Sequence, residues 1–296
     1  MKYLLTGASG FLGRHILEVL PQNSVITLGR TSNNAVVTDL SESIPTLLPT
    51  DVVIHCAGKA HTVPKTPEEE NEFFQVNLIG TRNLLKGLEK LDKLPSQIIF
   101  ISTVSVYGRE SGDLISESQP LVGGSPYALS KIQTEQLLLE WGETHDVPVL
   151  ILRLPLIVGS NPPGNLGKMI NGIKTGRYAS IAGGKARKSM VLASDVAQLI
   201  SKVLRRKGTY NLTDGYHPFL HELESSISIE YKSKIRIKLS LKLAKTLARI
   251  GDVIPFIPIN SRLIDKMILD LTFDDSKAIE ELNWSPNPVL GFKFRS

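Results

Sequence analysis

The strongest constraint on the fold of this chain is a set of three glycines, spaced three residues apart near its start. Gly7, Gly10 and Gly13 follow an apolar stretch typical of a short buried strand, and residues 11–20 have helical spacing. In such a turn the first glycine permits the tight bend, the second lets the backbone approach a pyrophosphate, and the third lets helix and strand pack closely. The unpaired N–H groups of the first helical turn favour a phosphate. The spacing therefore predicts a dinucleotide-binding turn. Its further expected contacts are Ser9, Phe11 and Leu12.

Apolar runs that do not alternate with polar residues recur through the first half of the chain. They cover residues 24–28, 51–56, 97–102 and 148–154, and segments with helical spacing cover residues 68–91 and 126–141. Continuous apolar runs are typical of parallel strands that helices cover on both faces. The pattern predicts an α/β protein with a doubly wound parallel sheet, the Rossmann fold.

The pattern changes after residue 155, where glycine- and proline-rich loops surround a helix predicted for residues 166–175. A helix at 194–205 and a strand at 209–212 then return the chain to the sheet. We therefore expect a nucleotide-binding Rossmann domain and a smaller C-terminal substrate lobe. The domain would comprise residues 1–155 and 190–215, and the lobe residues 156–189 and 216–296.

The composition excludes several classes of protein. A hydrophobic content of 42% over 296 residues is ordinary for a globular chain. No apolar run approaches the roughly 20 residues that span a bilayer, and no signal-peptide layout is present, so we expect a cytoplasmic protein without a transmembrane segment. A lone cysteine, Cys56, excludes an internal disulfide and argues against a cysteine-based metal site, and no metal is predicted. Basic residues are not interleaved with aromatic ones, so no nucleic-acid partner is expected.

The densest basic stretch, in a chain of net charge +5, covers residues 232–249. Apolar residues repeat through it at helical spacing. They are Leu239, Leu243, Leu247 and Ile250. We expect an amphipathic helix with a solvated basic face, and the alternative is a helix that lies on an acidic membrane surface.

A Tyr-x-x-x-Lys pair, Tyr127 and Lys131, follows Pro126, a residue suited to the first turn of a helix. One helical turn separates the two side chains, so they share a face. The pKa of a free tyrosine is about 10. A neighbouring ammonium and the positive charge of a nicotinamide favour the phenolate. Tyr127 is therefore a candidate acid–base for a sugar hydroxyl during hydride transfer, and the alternative is a surface Tyr–Lys contact.

Hydroxyl side chains stand at the end of the strand predicted for residues 97–102, the edge at which open α/β sheets bind ligands. Thr103 is the candidate for orienting the reacting oxygen, with Ser102 and Ser105 as neighbours. The alternative is that these hydroxyls only cap the strand end.

Together these motifs resemble the extended short-chain dehydrogenase/reductase family, of the NAD-dependent epimerase/dehydratase type. The resemblance covers nearly the whole chain and points to nucleotide-sugar epimerases, dehydratases and reductases. The segments that carry it are residues 6–13, 39–40, 55–58, 77–81, 102–108, 127–131 and 152–155.

The resemblance implies roles for individual residues. Thr103, Tyr127 and Lys131 would form the catalytic set, and Lys131 would also hold the nicotinamide ribose. The other implied cofactor contacts are Asp39 at the adenine, Leu40, Cys56 at the cofactor edge, Ala57 and Gly58 along the pyrophosphate, Asn77, Ser102, and Pro155 beside the carboxamide.

Two departures from the family pattern are informative. Relatives that prefer NAD have an acidic residue after the second strand, whereas this chain has Arg30, which suits a 2′-phosphate through charge-assisted hydrogen bonds. NADP(H) is therefore favoured over NAD(H), and the alternative is that Arg30 only stacks on the adenine. The 4,6-dehydratases of the family carry Asp-Glu where this chain has Val104 and Ser105, so a dehydratase of that type is not expected.

The second lobe offers candidate substrate contacts. Asn165 resembles a residue that contacts the nucleotide, and Arg187 and Lys188 resemble a basic pair that could clamp a diphosphate, the alternative being a solvated basic loop. Ser105 and Lys59 are further candidates. Lys59 and His61 resemble positions in members that act on N-acetylated amino sugars, although a lone histidine is more often incidental.

These observations predict an NAD(P)-dependent enzyme that acts at C4 of a nucleotide-linked hexose, a UDP-N-acetylhexosamine derivative, for surface-polysaccharide biosynthesis. Retained cofactor would make it a 4-epimerase, and exchanged cofactor a 4-ketoreductase. The alternatives are a reductase of a non-nucleotide ketone or alcohol and a non-catalytic NADP(H)-sensing protein. The resemblance also allows a homodimer.

Overall fold

Strands and helices alternate through most of the chain in a computed structural model that describes residues 1–60, 62–253 and 260–294. The strands are β1 (Tyr3–Thr6), β2 (Val25–Gly29), β3 (Val36–Val37), β4 (Val52–His55), β5 (Gln97–Thr103), β6 (Gly112–Ile115), β7 (Val149–Leu154), β8 (Leu156–Val158), β9 (Ala179–Ile181), β10 (Met190–Leu192), β11 (Gly208–Asn211), β12 (Ile237–Leu239) and β13 (Leu271–Phe273). The helices are α1 (Phe11–Val19), α2 (Pro67–Phe73), α3 (Gly80–Leu88), α4 (Pro126–His145), α5 (Gly164–Lys174), α6 (Ala193–Ile200), α7 (Leu220–Glu230), α8 (Leu241–Val253), α9 (Ser261–Ile268) and α10 (Ser276–Leu282).

Seven strands form one parallel sheet in the order β11-β7-β5-β4-β1-β2-β3. The chain runs outward from β1 to β3 on one side and continues from β4 on the other. A crevice for ligands opens at the carboxyl ends of the strands, where this reversal occurs. The order confirms the predicted doubly wound sheet, and the predicted strands agree with the observed ones to within one residue at each end.

Both faces of the sheet are buried. Successive residues of a strand point to opposite sides, and each side packs against its own core. Leu4 of β1 joins a core with Leu84 of α3 and Leu138 of α4, whereas Leu5 joins a second core with Ile16 of α1 and Val196 of α6. This two-sided burial is the physical reason that the strand sequences are continuously apolar.

Four of the predicted helices differ from the structure. The helix predicted for residues 194–205 ends at Ile200, and the helix predicted for residues 126–141 continues to His145. Residues 68–91 form two helices, α2 and α3, which are joined by the π-helical segment Phe74–Ile79. A π-helix has a wider turn than an α-helix, and the hydrophobic periodicity of the sequence does not reveal this difference. Residues 232–249, predicted as one helix, form β12 before α8 begins at Leu241. Basic and apolar residues alternate from 234 to 239, which is the period of a strand, and β12 pairs in parallel with β9.

Three smaller cores lie beside the main sheet in the described ranges. The first encloses Val158, Leu166, Met190 and Leu223, and the second encloses side chains of β9, β12, α8 and α9. The third contains Tyr107, Ile115 and Phe273. Because β8 pairs with β10, the chain is tied together across the predicted domain boundaries at residues 155 and 190. The division into two domains stays a prediction. Across the described ranges, no helix has both the length and the apolar character needed to cross a bilayer.

Gln97 ties the turn after α6 to the first residue of β5. Its fully buried side chain donates from Nε2 to the carbonyl oxygens of Val203 (2.9 Å) and Arg206 (2.7 Å). Its Oε1 accepts from the N–H of Arg205 at 3.0 Å. One side chain therefore satisfies three backbone groups at this end of the sheet.

Replacing Gln97 by leucine removes those partners and leaves buried backbone groups unpaired. We expect Gln97→Leu to lower the free energy of unfolding by about 2–4 kcal/mol, measured by urea denaturation. The matched control is Gln136→Leu on the exposed side of α4, expected to change it by no more than about 0.5 kcal/mol. Equal losses in the two variants would contradict the structural role of Gln97.

Candidate active site

The glycine turn between β1 and α1 packs directly against the end of β4. Gly7 has φ of +71°, and a Cβ added there would lie 2.7 Å from the backbone nitrogen of Ala57. A Cβ on Gly13 would lie 2.1 Å from the Gly7 carbonyl oxygen. No side chain caps α1 at Gly10, and its first turn contains no acidic residue. The cradle is therefore shaped for a pyrophosphate, as the predicted cofactor contacts require.

His55 lies at the end of β4, beneath this turn, and is almost fully buried. The Thr81 hydroxyl donates to the Asn77 carbonyl (2.6 Å), so it accepts from His55 Nε2 at 2.8 Å. The Thr6 hydroxyl accepts from the Ala57 N–H (3.0 Å) and donates to His55 Nδ1 at 2.7 Å. Burial, followed by the charge of Lys131, lowers the pKa of His55 to about 3. A neutral imidazole therefore holds the β1 and β4 ends together.

Asn77 is turned into the protein by the π-helical segment and is almost fully buried. Its Oδ1 accepts from the Lys59 N–H at 2.7 Å, and its Nδ2 donates to the Ser130 hydroxyl at 2.9 Å. Asn77 therefore connects the loop after Gly58 to α4. The ammonium of Lys59 pairs with Glu72, and His61 lies outside the described residues.

Tyr127 and Lys131 share one face of α4, as the sequence predicts, and Thr103 at the end of β5 lies close enough to Tyr127 to influence its pKa. The Thr103 hydroxyl donates to Ser105 Oγ at 3.2 Å. Burial raises the pKa of Tyr127, and the nearby Thr103 hydroxyl acts in the opposite direction. Tyr127 is therefore a phenol at neutral pH, and the lowering of its pKa by Lys131 and nicotinamide stays a prediction.

The Lys131 ammonium is buried at the floor of the site. It donates to the Ile101 carbonyl oxygen at 2.8 Å and lies 4.3 Å from the centroid of the Phe100 ring. Burial lowers the pKa of Lys131 to about 8, while Cys56 and Glu135 oppose the shift. Burial also raises the pKa of Cys56 to about 12, so this thiol stays protonated at neutral pH, and its place at the cofactor edge stays a prediction.

A buried ion pair behind the site was not among the predicted functional residues. Glu135, one turn after Lys131 in α4, accepts from Arg153 of β7, with an Nη2–Oε2 distance of 2.6 Å. The Ser102 hydroxyl donates to Glu135, so this predicted cofactor residue has its side chain turned toward the ion pair. Arg153 continues the network through Tyr107. Ser102 and Arg153 lie in the sequence motifs, but their shared contact with Glu135 joins elements that are distant in the sequence.

At the opposite end of the crevice, Arg30 follows β2 and is exposed. Its Nη1 lies 4.0 Å from Asp39 Oδ2, and the other Asp39 oxygen accepts from the N–H and hydroxyl of Ser41. Leu40 is buried under this segment. The structure thus brings Arg30 and Asp39 together at the edge where the adenosine ribose is expected.

The predicted substrate residues are held differently from one another. Asn165 is exposed at the start of α5, and Ser105 is exposed beside Thr103. The backbone N–H of Arg187 donates to Asp270, and the Lys188 ammonium donates to the Leu269 carbonyl at 2.7 Å. Burial lowers the pKa of Lys188 to about 8. Lys188 therefore anchors the segment before β13, and a diphosphate clamp there stays a prediction.

Pro155 joins β7 directly to β8, at the carboxyl edge of the sheet.

The candidate site thus combines the glycine turn, the hydroxyls of Thr103 and Tyr127, and the buried ammonium of Lys131 at this edge of the sheet. Throughout the part of the chain that the structure describes, no group of three or more His, Cys, Asp or Glu side chains could hold a metal ion.

Comparison with known proteins gives a consistent picture. Residues 3–213 match the model of the NAD dependent epimerase/dehydratase family. The chain is similar to a UDP-glucose 4-epimerase of Vibrio cholerae, with 25% identity over 98% of this chain and 93% of that protein. It is also similar to N-acetyl-alpha-D-glucosaminyl-diphospho-ditrans,octacis-undecaprenol 4-epimerase of Escherichia coli O157:H7, with 27% identity over 78% of this chain and 73% of that protein.

Among solved structures, the fold is similar to that of RMD from Pseudomonas aeruginosa, a protein complexed with NADPH. The TM-score is 0.75 at 22% identity, and the match covers 100% of this chain and 95% of that one.

The neutral, buried His55 makes stability depend on pH. Its pKa is about 3 in the folded chain against 6.5 as the ordinary value, so the unfolded state binds more protons between these limits. The free energy of unfolding should therefore fall as pH drops below 6.5, by about 2 kcal/mol from this histidine between pH 7 and pH 5. Urea denaturation of the native chain and His55→Asn at both pH values measures it. The variant is less stable at pH 7 but should lose less on acidification, and identical losses would contradict the assignment.

Proposed function

Because the chain belongs to the NAD dependent epimerase/dehydratase family, we propose that it oxidises or reduces C4 of a nucleotide-linked hexose. We propose a UDP-N-acetylhexosamine derivative as the substrate and surface-polysaccharide biosynthesis in the cytoplasm as the context. The observation that carries the proposal is the Tyr127–Thr103 hydroxyl pair, set at the carboxyl edge of the sheet with the Lys131 ammonium beneath it.

The residues present fit a nicotinamide dinucleotide. Gly7, Gly10 and Gly13 would hold its pyrophosphate at the start of α1, Ala57 and Gly58 would line it, and Lys131 would hold its nicotinamide ribose. When bound, the nicotinamide accepts or returns a hydride at the carbon that bears the reacting hydroxyl.

Tyr127 would move the proton in either direction. In oxidation its phenolate takes the proton of the C4 hydroxyl, and in reduction its phenol donates a proton to the C4 keto oxygen. Because burial raises the Tyr127 pKa, the phenol is the resting form, which suits donation. The Lys131 charge, together with the positive charge of the oxidised nicotinamide, stabilises the phenolate for the reverse step.

Thr103 would orient the reacting oxygen, since its hydroxyl lies beside Tyr127 and is held by hydrogen bonds with the N–H and the hydroxyl of Ser105. Val104 and Ser105 follow it, so no adjacent carboxyl pair supports elimination of water from the sugar. The chemistry that these residues support is therefore oxidation and reduction at C4. The remaining choice is between a 4-epimerase, which retains its cofactor, and a 4-ketoreductase, which exchanges it.

The similarity to two 4-epimerases favours a diphosphate-linked sugar over a neutral ketone. A non-catalytic NADP(H)-sensing protein is disfavoured because it would not need the Tyr127–Thr103 pair. The nucleotide contact of Asn165, the diphosphate clamp of Arg187 and Lys188, and a homodimer remain part of the hypothesis.

Activity should depend on the Tyr127 hydroxyl. Purified protein is incubated with UDP-N-acetylglucosamine or its 4-keto-6-deoxy derivative and NADPH or NADH, and absorbance and sugar products are followed. Tyr127→Phe should lower the turnover about 10²–10⁴-fold with cofactor binding retained, because proton transfer is lost. Epimer interconversion without cofactor consumption identifies an epimerase, and NADPH consumption identifies a ketoreductase.

The matched control is Tyr210→Phe, which removes a hydroxyl bonded to Glu281 and to the Lys207 carbonyl at the other edge of the sheet. Its turnover should equal that of the native chain. Absence of turnover with every substrate, in a chain that still binds cofactor, would contradict the proposed enzyme and revive the sensing protein.

We further propose NADP(H) as the preferred cofactor, because the exposed Arg30 guanidinium stands where a 2′-phosphate is expected. A charge-assisted hydrogen bond contributes about 1.5–3 kcal/mol, so Arg30→Gln should weaken NADPH binding about 10–100-fold and leave NADH binding unchanged. Titration of both cofactors by fluorescence measures this. Arg82→Gln, an exposed change on α3, is the control, and an equal effect on NADH in Arg30→Gln would indicate adenine stacking instead.

A further inference from the structure

The surface formed by β12 and α8 differs in charge from the rest of the molecule. Residues 231–251 contain seven Lys and Arg residues and no carboxylate, while the remaining chain contains two more acidic than basic residues. The whole net positive charge therefore resides in this one segment. We call it the basic surface. Its cations are Lys232, Lys234, Arg236, Lys238, Lys242, Lys245 and Arg249.

All seven of these cations are exposed. Within the described ranges, none of them lies within 4.0 Å of a carboxylate oxygen. By contrast, Lys266 of the neighbouring α9 pairs with Glu110, and Lys59 pairs with Glu72. The basic surface thus keeps its charges available to an anionic partner outside the molecule.

Apolar side chains are exposed on the same surface. In α8, the small residues Ala244 and Ala248 face the core, so the larger leucines and isoleucines of this helix are not all needed for packing. Leu243 is 49% exposed and Ile250 is 44% exposed, and Leu241 at the helix start is exposed as well. Single exposed apolar side chains are common on protein surfaces, so the informative feature here is their position beside the cations.

The helical positions separate these two sets into adjacent stripes. Leu243 and Ile250 are seven residues apart, so they lie on one line along α8. Lys242, Lys245 and Arg249 have i, i+3 and i+7 spacing, so they form a second line beside it. The alanine line faces inward, and the apolar and basic lines flank the outward face. This arrangement is typical of helices that lie in the interface of a membrane.

We propose that the basic surface docks this protein on an anionic lipid bilayer, with the apolar line of α8 inserted at the headgroup boundary and the basic line contacting lipid phosphates. Charge complementarity selects the anionic lipid, since a wholly cationic surface contributes attraction only to a negative partner. The exposed Leu243 and Ile250 select a bilayer over a nucleic acid, which offers no apolar interior.

The docking surface lies within the proposed substrate lobe, residues 156–189 and 216–296. Residues just after α9 contact the segment before β10, where Asp270 accepts from the Arg187 N–H and the Leu269 carbonyl accepts from the Lys188 ammonium. Docking therefore places the substrate lobe, and not the outer strands of the sheet, nearest the bilayer. The proposal does not depend on which sugar is the substrate.

Flotation with vesicles tests the docking. The full chain should bind vesicles of phosphatidylcholine with 30 mol% phosphatidylglycerol, bind pure phosphatidylcholine weakly, and be released by salt. Each basic residue near an anionic surface strengthens binding about fivefold, so Lys242→Gln/Lys245→Gln/Arg249→Gln should weaken binding about 100-fold. Leu243→Ser/Ile250→Ser should weaken binding at least about tenfold, because apolar insertion is lost.

A matched control removes the same charge elsewhere. Lys202→Gln/Arg206→Gln/Lys207→Gln changes three exposed cations that precede β11, outside the basic surface. This variant should bind vesicles like the native chain. NADPH binding serves as the folding check for every variant, since no changed residue belongs to the cofactor crevice.

Three outcomes would overturn the proposal. The native chain fails to bind anionic vesicles, or the control triple loses as much as the α8 triple, which would indicate net charge alone. The third is unchanged binding in Leu243→Ser/Ile250→Ser with equally tight binding to a 20-nucleotide DNA, which would indicate a general polyanion surface.

Discussion

The ion pair between Glu135 and Arg153 holds together the three elements that carry the candidate site. Glu135 belongs to α4 with Tyr127 and Lys131, and Arg153 belongs to β7 just before Pro155. Ser102, which donates to Glu135, precedes Thr103 on β5. Because both charges are buried, loss of one partner leaves the other unpaired at a cost of about 3–5 kcal/mol. The relative positions of the site elements therefore depend on this pair.

The crevice is further constrained by backbone contact at its other end. Gly7 and Gly13 leave no room for side chains between the first turn and the end of β4, and neutral His55 joins these two ends by hydrogen bonds. The proposed phosphate cradle and the proposed acid–base group, Tyr127, thus stand at one edge of the sheet. Such preorganisation suits a hydride transfer, in which the reacting atoms must be aligned before the step occurs.

Local pattern was enough to predict the sheet, the glycine turn and the Tyr127–Lys131 pair, because strand burial and helical spacing are written in neighbouring residues. It was not enough for the Glu135–Arg153 pair, whose partners are 18 residues apart and meet only when α4 packs on β5 and β7. The π-helical turn that buries Asn77 was not predicted for a related reason. The Asn77 side chain makes hydrogen bonds with Lys59 and Ser130, which belong to separate elements. The hydrogen bond from Lys188 to the Leu269 carbonyl likewise joins distant parts of the chain, and the predicted substrate contact of Lys188 stays a prediction.

The sequence by itself determined where the apolar runs of the strands lie along the chain, where the glycine turn lies, and that positive charge is concentrated in residues 231–251. Each of these features depends only on residue type and short spacing. Only the tertiary structure decided where that charge meets exposed leucine and isoleucine. The basic stretch forms a strand and a helix, because β12 pairs with β9 and the alanines of α8 pack in the core. Charge pairing, and which side chains of a helix stay exposed, depend on residues that are distant in the sequence and meet only in the folded chain, so spacing along the chain does not specify them.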